Sequence, residues 1–232
     1  MELRDPAANV KRLFVNSALD TIYEKASSGA GDEKELLKEP GTVHAPTGWS
    51  RDGRFLLYDA QTPKTGQHLW VLPLQGDRKP VPLLVTHFNE MYASFSPDMR
   101  WIAYESDESG RSEIYVRPFL ASGPGAVPSL GEGKWQISRD GGGYIPKWSA
   151  DGKEIIFQAP PSGTTKMAVD VKANGAALEI GVPQRLFQAD DYGWDVTPDG
   201  KRFLMDMPQG QQNALAPMMV LLNWPALLKK KL

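Results

Sequence analysis

The stretch Trp49-Ser50-Arg51-Asp52-Gly53, followed by RFLLYDA over residues 54–60, places a short polar turn between two apolar segments. Glycine adopts the positive φ that a tight turn requires, and serine and aspartate oxygens accept hydrogen bonds from turn amides. The apolar run after the turn shows no polar alternation, which is typical of a strand buried on both faces. The stretch therefore predicts a hairpin that leads into a buried strand.

The same pattern recurs along the chain. Further copies begin at Phe95-Ser96-Pro97-Asp98-Met99, Trp148-Ser149-Ala150-Asp151-Gly152 and Val196-Thr197-Pro198-Asp199-Gly200. The aspartates at 52, 98, 151 and 199 are 46, 53 and 48 residues apart, which leaves room for about four short strands in each unit. In the first two units a third strand ends in proline, and 167–171 is a weaker version of it. The repeat predicts an all-β propeller built from four-stranded antiparallel blades.

These motifs resemble the WD-like propeller repeats of the TolB family, including blades that lie C-terminal to some bacterial serine/threonine kinases. The resemblance extends from about residue 12 to residue 224 and implies a propeller fold without a specific function. Two departures are expected to matter. Met99 replaces the turn glycine, so its hairpin is expected to use a different turn, and Val196 replaces the aromatic residue, so the last blade is expected to pack less tightly.

The phase of the repeat divides the chain into three complete and two partial blades. Complete blades are expected at 42–85, 90–137 and 143–188, with partial blades at 12–38 and 192–224. The first partial blade is predicted to lack its inner strand, so the sequence looks like a piece of a longer propeller. Either the two partial blades complete each other within one chain, or two chains close a larger ring. We expect a homodimer.

Composition narrows the possible functions. The formal net charge of −2 offers no excess of cations for nucleic acid, and the absence of cysteine excludes disulfides and thiolate metal sites. Residues 1–12 lack the apolar core of a signal peptide, and the apolar stretch at 214–228 is too short and interrupted to span a membrane. The protein is expected to be soluble, while the resembled family is often extracytoplasmic or periplasmic.

The polar residues are predicted to concentrate at one end of the propeller. We call the end that carries the turns between first and second strands the hairpin end, and the opposite end the loop end. The sequence contains no nucleophile elbow, phosphate-binding loop or metalloprotease motif, but its three histidines and several carboxylates are all predicted at the loop end. Histidine and carboxylate side chains are ligands for a divalent metal such as Ca, Zn or Mn. The candidate ligands are His44, His68, His87, Asp59, Glu90, Asp107 and Asp191.

Two functions follow from this arrangement. Because a stiff frame that carries long loops suits recognition, we expect a rigid binding or scaffolding module for a protein or peptide that docks at the loop end. The alternative is a metal-assisted hydrolase of small esters or phosphoesters at the channel mouth, in which the three histidines are the candidate catalytic residues. Aromatic residues at the starts of the inner strands are candidate ligand contacts: Tyr92, Tyr144, Tyr192 and Trp194.

Overall fold

The computed structural model describes residues 3–4, 11–15, 18–26, 31–121, 126–139, 141–160, 164–191, 193–197, 202–206 and 219–222. These residues form 21 strands in five antiparallel sheets, I to V, joined by turns and loops. The described residues contain no helix that could cross a membrane. The protein is therefore all-β, with the blades of a propeller, as the repeat predicts.

The sheets follow the chain. Sheet I contains β1 to β4: Leu3–Arg4, Lys11–Val15, Thr21–Ala26 and Lys34–Lys38. Sheet II contains β5 to β8: Val43–Trp49, Phe55–Gln61, Gln67–Pro73 and Val81–Leu84. Sheet III contains β9 to β13: Glu90–Phe95, Trp101–Ser106, Glu113–Leu120, Ser129–Leu130 and Trp135–Gln136. Sheet IV contains β14 to β18: Tyr144–Trp148, Glu154–Ala159, Thr165–Asn174, Ala177–Ile180 and Gln184–Gln188. Sheet V contains β19 to β21: Gly193–Val196, Arg202–Asp206 and Met219–Leu222.

Sheet I differs from the sequence-based expectation, which gave it no inner strand. The two residues of β1 pair with β2 in the register Leu3↔Leu13 and Arg4↔Arg12. A two-residue strand is too short to show any hydrophobic periodicity, so only pairing with a neighbour identifies it. Among the described residues, sheet I is thus a complete four-stranded blade.

The second strand of each of sheets II to IV is buried on both faces. Successive residues of β10 show the rule: Ile102 packs in the cluster shared with sheet II, whereas Ala103 packs in the cluster shared with sheet IV. Leu56 and Leu57 of β6 divide in the same way between sheets I and III. Burying one such leucine contributes about 1.5–3 kcal/mol. The stacking of sheet on sheet therefore supplies the hydrophobic core.

Sheet V has only one covered face among the described residues. Phe203 of β20 is buried against sheet IV, but Leu204, which follows it, is 48% exposed. The residues at the same repeat position in sheets II to IV, Leu57, Ala103 and Ile156, are 0% exposed. No described element covers this face of sheet V as the next sheet covers the others.

The repeated turns share one hydrogen-bond pattern. Ser50 Oγ accepts from the Phe55 amide at 2.8 Å and donates to Asp52 Oδ1 at 2.7 Å, and the second and third copies make the same bonds. The expectation of a different turn at Met99 is wrong. Met99 adopts a φ of 61°, close to the 70° of Gly53, because the serine and aspartate bonds hold the backbone in the left-handed region.

Candidate functional site

The three histidines of the loop end lie apart from one another. His44 is buried, with Nε2 3.0 Å from Glu39 Oε2 and its ring edge-on to Tyr58. His68 is buried as well, and its Nδ1 lies 3.2 Å from Glu90 Oε2. His87 is exposed, and its ring lies 3.8 Å from that of Phe88, measured between centroids. Two of the histidines thus form separate pairs, each with one glutamate.

The candidate carboxylates are also engaged in different places. Asp107 accepts from the amide and the side-chain nitrogen of Asn89 at 2.9 and 2.7 Å. Asp191 forms a buried ion pair with Lys166 at 2.5 Å. Glu90 accepts a hydrogen bond from the Thr86 hydroxyl and also contacts His68. Burial raises the pKa of Glu90, although both of these partners act to lower it.

A metal site needs three or more ligands that converge on one point. Across the part of the chain that the structure describes, no group of three or more histidine, aspartate or glutamate side chains is arranged in that way. The predicted metal ligands therefore form isolated pairs in this geometry. The prediction of a Ca, Zn or Mn site, and of a hydrolase that depends on it, gains no support from the described residues.

Two carboxylates at the ends of second strands bridge to the next sheet, a feature that the sequence did not reveal. Asp59 of β6 accepts the Tyr92 amide at 3.0 Å, and Glu105 of β10 accepts the Ile145 amide at 3.4 Å. Tyr92 and Ile145 occupy bulges in the inner strands and have φ values of 54° and 52°, which are unusual for side chains of this size. The carboxylates thus hold strained backbone at the junctions between sheets.

Burial dominates the electrostatics of these bridges. It raises the pKa of Asp59 to about 8, and the nearby Glu105 carboxylate acts in the same direction while the Tyr92 amide opposes it. Burial likewise raises the pKa of Glu105. Asp59 Oδ1 has no hydrogen-bond partner among the described residues, which agrees with a carboxyl group that favours its neutral form.

The aromatic candidates for ligand contacts have mixed surroundings. Tyr92 is exposed and Tyr144 is half-buried. Trp194 is buried, stacks on Phe203 at 5.9 Å and lies under the ammonium groups of Lys147 and Lys166. Its contacts are those of a packing residue between sheets IV and V. Tyr192 lies outside the described residues.

A large cleft lies at the hairpin end, opposite the predicted docking surface. It has a volume of about 910 Å³ and adjoins the turns of sheets II, III and IV. Its apolar lining includes Trp101, Trp148, Val171, Leu178 and Ile180. A concave, largely apolar surface with polar groups at its margin is the usual form of a binding site.

The cleft exists because sheet IV departs from the repeat. In sheets II and III the third strand has a proline, Pro73 or Pro118, opposite the first residue of the second strand. Sheet IV has Asp170 opposite Glu154, and β16 continues for four more residues to Asn174 before it returns as β17. The Arg100 guanidinium of sheet III donates to the Gly175 carbonyl at the tip, so the hairpin forms a wall of the cleft.

This β16–β17 hairpin was absent from the sequence-based assignment, although the sequence carries a signal for it. Gly175 and Ala176 form the turn between the paired residues Asn174 and Ala177, and glycine at the first turn position, here with a φ of 63°, is typical of a tight hairpin. The missing proline at position 170 is a second signal. Read together, the two favour an extended hairpin in sheet IV.

Comparisons of the sequence with protein-family models and with curated proteins give no match. Solved structures match the fold. TolB from Acinetobacter baumannii is 20% identical with a TM-score of 0.63 over 88% of this chain and 47% of that one. A putative TolB from Agrobacterium tumefaciens is 17% identical, with a TM-score of 0.54 over 75% of this chain and 61% of that one. An oligogalacturonate lyase in complex with manganese is 10% identical, with a TM-score of 0.57 over 86% and 56%.

At these identities the comparisons establish architecture alone. The chain spans about half the length of the Acinetobacter baumannii protein and less than two thirds of the other two. The manganese named for the lyase belongs to that protein. The similarity to TolB and to other propellers agrees with the blades described above, and the chain has a TolB-like β-propeller fold.

Proposed function

We propose that this protein is a polypeptide-binding module whose docking surface is the cleft at the hairpin end. The observation that carries the proposal is the cleft itself, with its volume of about 910 Å³ and its aromatic and aliphatic lining. Stacked sheets hold its walls, so little conformational entropy is lost when a partner binds. The proposal keeps the binding role expected from the sequence and moves it to the opposite end of the molecule.

The engagement of the loop-end residues supports this choice of surface. His44, His68, Asp107 and Asp191 already have partners within the chain. Groups that are paired inside a protein must lose those contacts before they bind a ligand, and this loss reduces the net free energy gained on binding. The hairpin end offers an open cleft without that cost.

Selection from random peptides displayed on phage, followed by fluorescence anisotropy with the selected peptides, tests the proposal. Ala173 is exposed and lines the cleft, so Ala173→Trp is expected to fill part of it and weaken binding at least roughly tenfold. Ala177→Trp places the same side chain on the same hairpin at an exposed position outside the cleft lining. This control is expected to bind like the unmodified protein.

A loop-end variant separates the two possible surfaces. His87 is exposed at the loop end, and His87→Ala is expected to leave binding unchanged. Loss of binding in His87→Ala, with none in Ala173→Trp, would move the docking surface to the loop end. If no selected peptide distinguishes Ala173→Trp from Ala177→Trp, the cleft is not the binding site.

A further inference from the structure

The tip of the β16–β17 hairpin carries an asparagine that is followed by glycine. Asn174 is the last residue of β16, Gly175 begins the turn, and both residues are exposed. The sequence contains six asparagines, and Asn174 is the only one with glycine as its next residue. The chain therefore has a single Asn-Gly bond, and it lies at an exposed turn.

The backbone nitrogen that follows an asparagine can attack the asparagine side chain. After this nitrogen loses its proton to the solvent, it forms a bond to the side-chain carbonyl carbon. The bond from that carbon to Nδ2 then breaks, and the leaving nitrogen takes up a proton and departs as ammonia. Water opens the resulting cyclic imide at one carbonyl or the other, which yields aspartate or isoaspartate. Glycine favours the attack because it has no Cβ to hinder the approach, and asparagine is among the thermolabile residues of proteins.

The two reacting groups at the hairpin tip are accessible. The Gly175 amide donates a hydrogen bond to no described residue. Apart from its chain neighbours, no described heavy atom lies within 4 Å of the place that a Cβ of residue 175 would take. Asn174 Nδ2 donates to Glu179 Oε1 at 3.0 Å, in a hydrogen bond that is exposed to solvent. Neither the nucleophile nor the carbonyl that it attacks is therefore enclosed by the fold.

Two contacts hold the tip in a conformation that disfavours the reaction. Asn174 pairs with Ala177 across the hairpin, and the Arg100 guanidinium donates to the Gly175 carbonyl. The extended backbone of a strand keeps the Gly175 nitrogen away from the Asn174 side-chain carbon, so ring closure requires a change of ψ at Asn174. The reaction therefore proceeds through a locally opened hairpin, and the Arg100 contact lowers the population of that state.

We propose that Asn174 is a modification site that converts spontaneously to aspartate and isoaspartate, and that Arg100 slows this conversion because it holds the hairpin tip closed. The inference goes beyond the proposed function and does not depend on it. It requires water as the only co-reactant and ammonia as the only leaving group.

The products change the wall of the cleft. Either product places a carboxylate where Asn174 donates to Glu179, so a hydrogen bond is replaced by two like charges. Like charges on paired strands destabilise a hairpin. Isoaspartate also lengthens the backbone next to the turn, which disrupts the pairing of Asn174 with Ala177. The modified tip is therefore expected to open more often than the unmodified tip.

Ageing of the folded protein at neutral and at mildly alkaline pH, followed by peptide mapping with mass spectrometry, tests the proposal. Aspartate and isoaspartate are expected at position 174, and faster at the higher pH, because the attacking nitrogen must lose its proton. Asn89 donates to Asp107, is followed by Glu90 and is expected to stay intact in the same samples. Asn174→Gln is expected to give neither product, since glutamine would have to close a larger ring.

The role of Arg100 has its own variant. Arg100→Ala is expected to speed the conversion at position 174 roughly fivefold, because loss of its contact with the Gly175 carbonyl raises the population of the opened hairpin. Arg54 pairs with Asp52 within its own turn, so Arg54→Ala is the matched control and is expected to leave the rate unchanged. If the two variants convert at the same rate, Arg100 does not protect the site.

The remaining outcomes decide the rest of the proposal. If residue 174 stays asparagine in the folded protein under conditions that convert it in urea, the hairpin does not open enough and the site is wrong. Aspartate without isoaspartate would identify direct hydrolysis and refute the imide route. Aged protein is expected to exchange its amides at 172–177 faster than aged Asn174→Gln, and equal rates would show that the modification leaves the cleft wall intact. None of these measurements involves a bound peptide, so they stand even if the proposed function fails.

Discussion

Individual polar residues do as much to define this fold as the apolar ones. The serine of each turn accepts a hydrogen bond from the first amide of the second strand and positions the aspartate two residues later. The same bonds hold Met99 in a left-handed conformation that glycine adopts in the neighbouring units. The serine hydroxyl therefore holds the shape of the turn, and methionine adopts the same positive φ as glycine at the turn position.

Removal of that hydroxyl is expected to destabilise the protein. Ser50→Ala leaves the buried Phe55 amide without its 2.8 Å acceptor, which costs about 1–3 kcal/mol in the free energy of unfolding. Urea unfolding measures the change. Thr62→Ala removes a hydroxyl from an exposed turn and is expected to cost less than about 0.5 kcal/mol. Equal effects of the two substitutions would contradict the role assigned to Ser50.

Asp59 is expected to make stability depend on pH. Burial raises its pKa in the folded protein to about 8, from an ordinary value of 3.8, so the folded state retains a proton that the unfolded state has lost. The protonated carboxyl makes its full contribution to the free energy of unfolding below the ordinary pKa of 3.8. That contribution declines as the pH rises from there toward about 8, by up to about 1.4 kcal/mol per pH unit.

Asp59→Asn tests this dependence, because the amide is neutral at every pH and can still accept from the Tyr92 amide. The variant is expected to lose less stability than the unmodified protein between about pH 5 and pH 8 in urea unfolding. Asp77→Asn makes the same change at an exposed site and should leave the slope unaltered. A slope unchanged by Asp59→Asn would show that another group carries the pH dependence.

At the scale of elements, the β16–β17 hairpin is longer than the corresponding extension in sheet III, where β11 continues only two residues beyond Pro118 and pairs with β12. Its tip is held by the Arg100 guanidinium, which donates to the Gly175 carbonyl and lies over the ring of Trp101. Arg54 occupies the same repeat position in sheet II and lies over Phe55, but its guanidinium pairs with Asp52 within its own turn. The same residue type thus has a local role in one blade and a long-range role in the next.

Arg100→Ala is expected to loosen the hairpin tip while the blades stay folded. Loss of one exposed charged hydrogen bond should speed amide exchange at 172–177 by roughly fivefold and change global stability by no more than about 1 kcal/mol. Hydrogen exchange followed by mass spectrometry gives both quantities. Arg54→Ala is the matched control and should leave exchange in 172–177 unchanged. If the two variants behave alike, Arg100 does not hold the hairpin.

At the scale of the whole molecule, one face of sheet V has no cover among the described residues, and we propose that this face lies in the interface of the homodimer expected from the sequence. Leu204 is 48% exposed, although its counterparts in the repeat are fully buried. Leu204→Glu is expected to shift the species measured by light scattering from twice the chain mass of 25.6 kDa to that mass. Leu120→Glu is a matched control at a leucine that is 49% exposed on β11. A monomeric unmodified protein at micromolar concentration would refute the dimer.

The cleft proposed as the docking surface lies where sheet IV departs from the repeat, and this limits how much of the site can be predicted from the sequence. Repetition made the blades predictable, since the turn motif and the apolar run recur at nearly constant spacing. The cleft was not predicted, because its lining comes from the turns of sheets II, III and IV and from the β16–β17 hairpin, which only the tertiary structure brings together. The loop-end histidines were predicted to gather there from topology alone, but each is oriented by its own neighbours.

The sequence by itself determined the all-β class, the turns and the strands buried on both faces, because local hydrogen bonding and hydrophobic periodicity are written in consecutive residues. Only the tertiary structure decided which polar groups are paired, which carboxylates are buried and where the open surface lies. Those properties depend on distances between residues on different sheets, and the order of residues along the chain does not contain these distances.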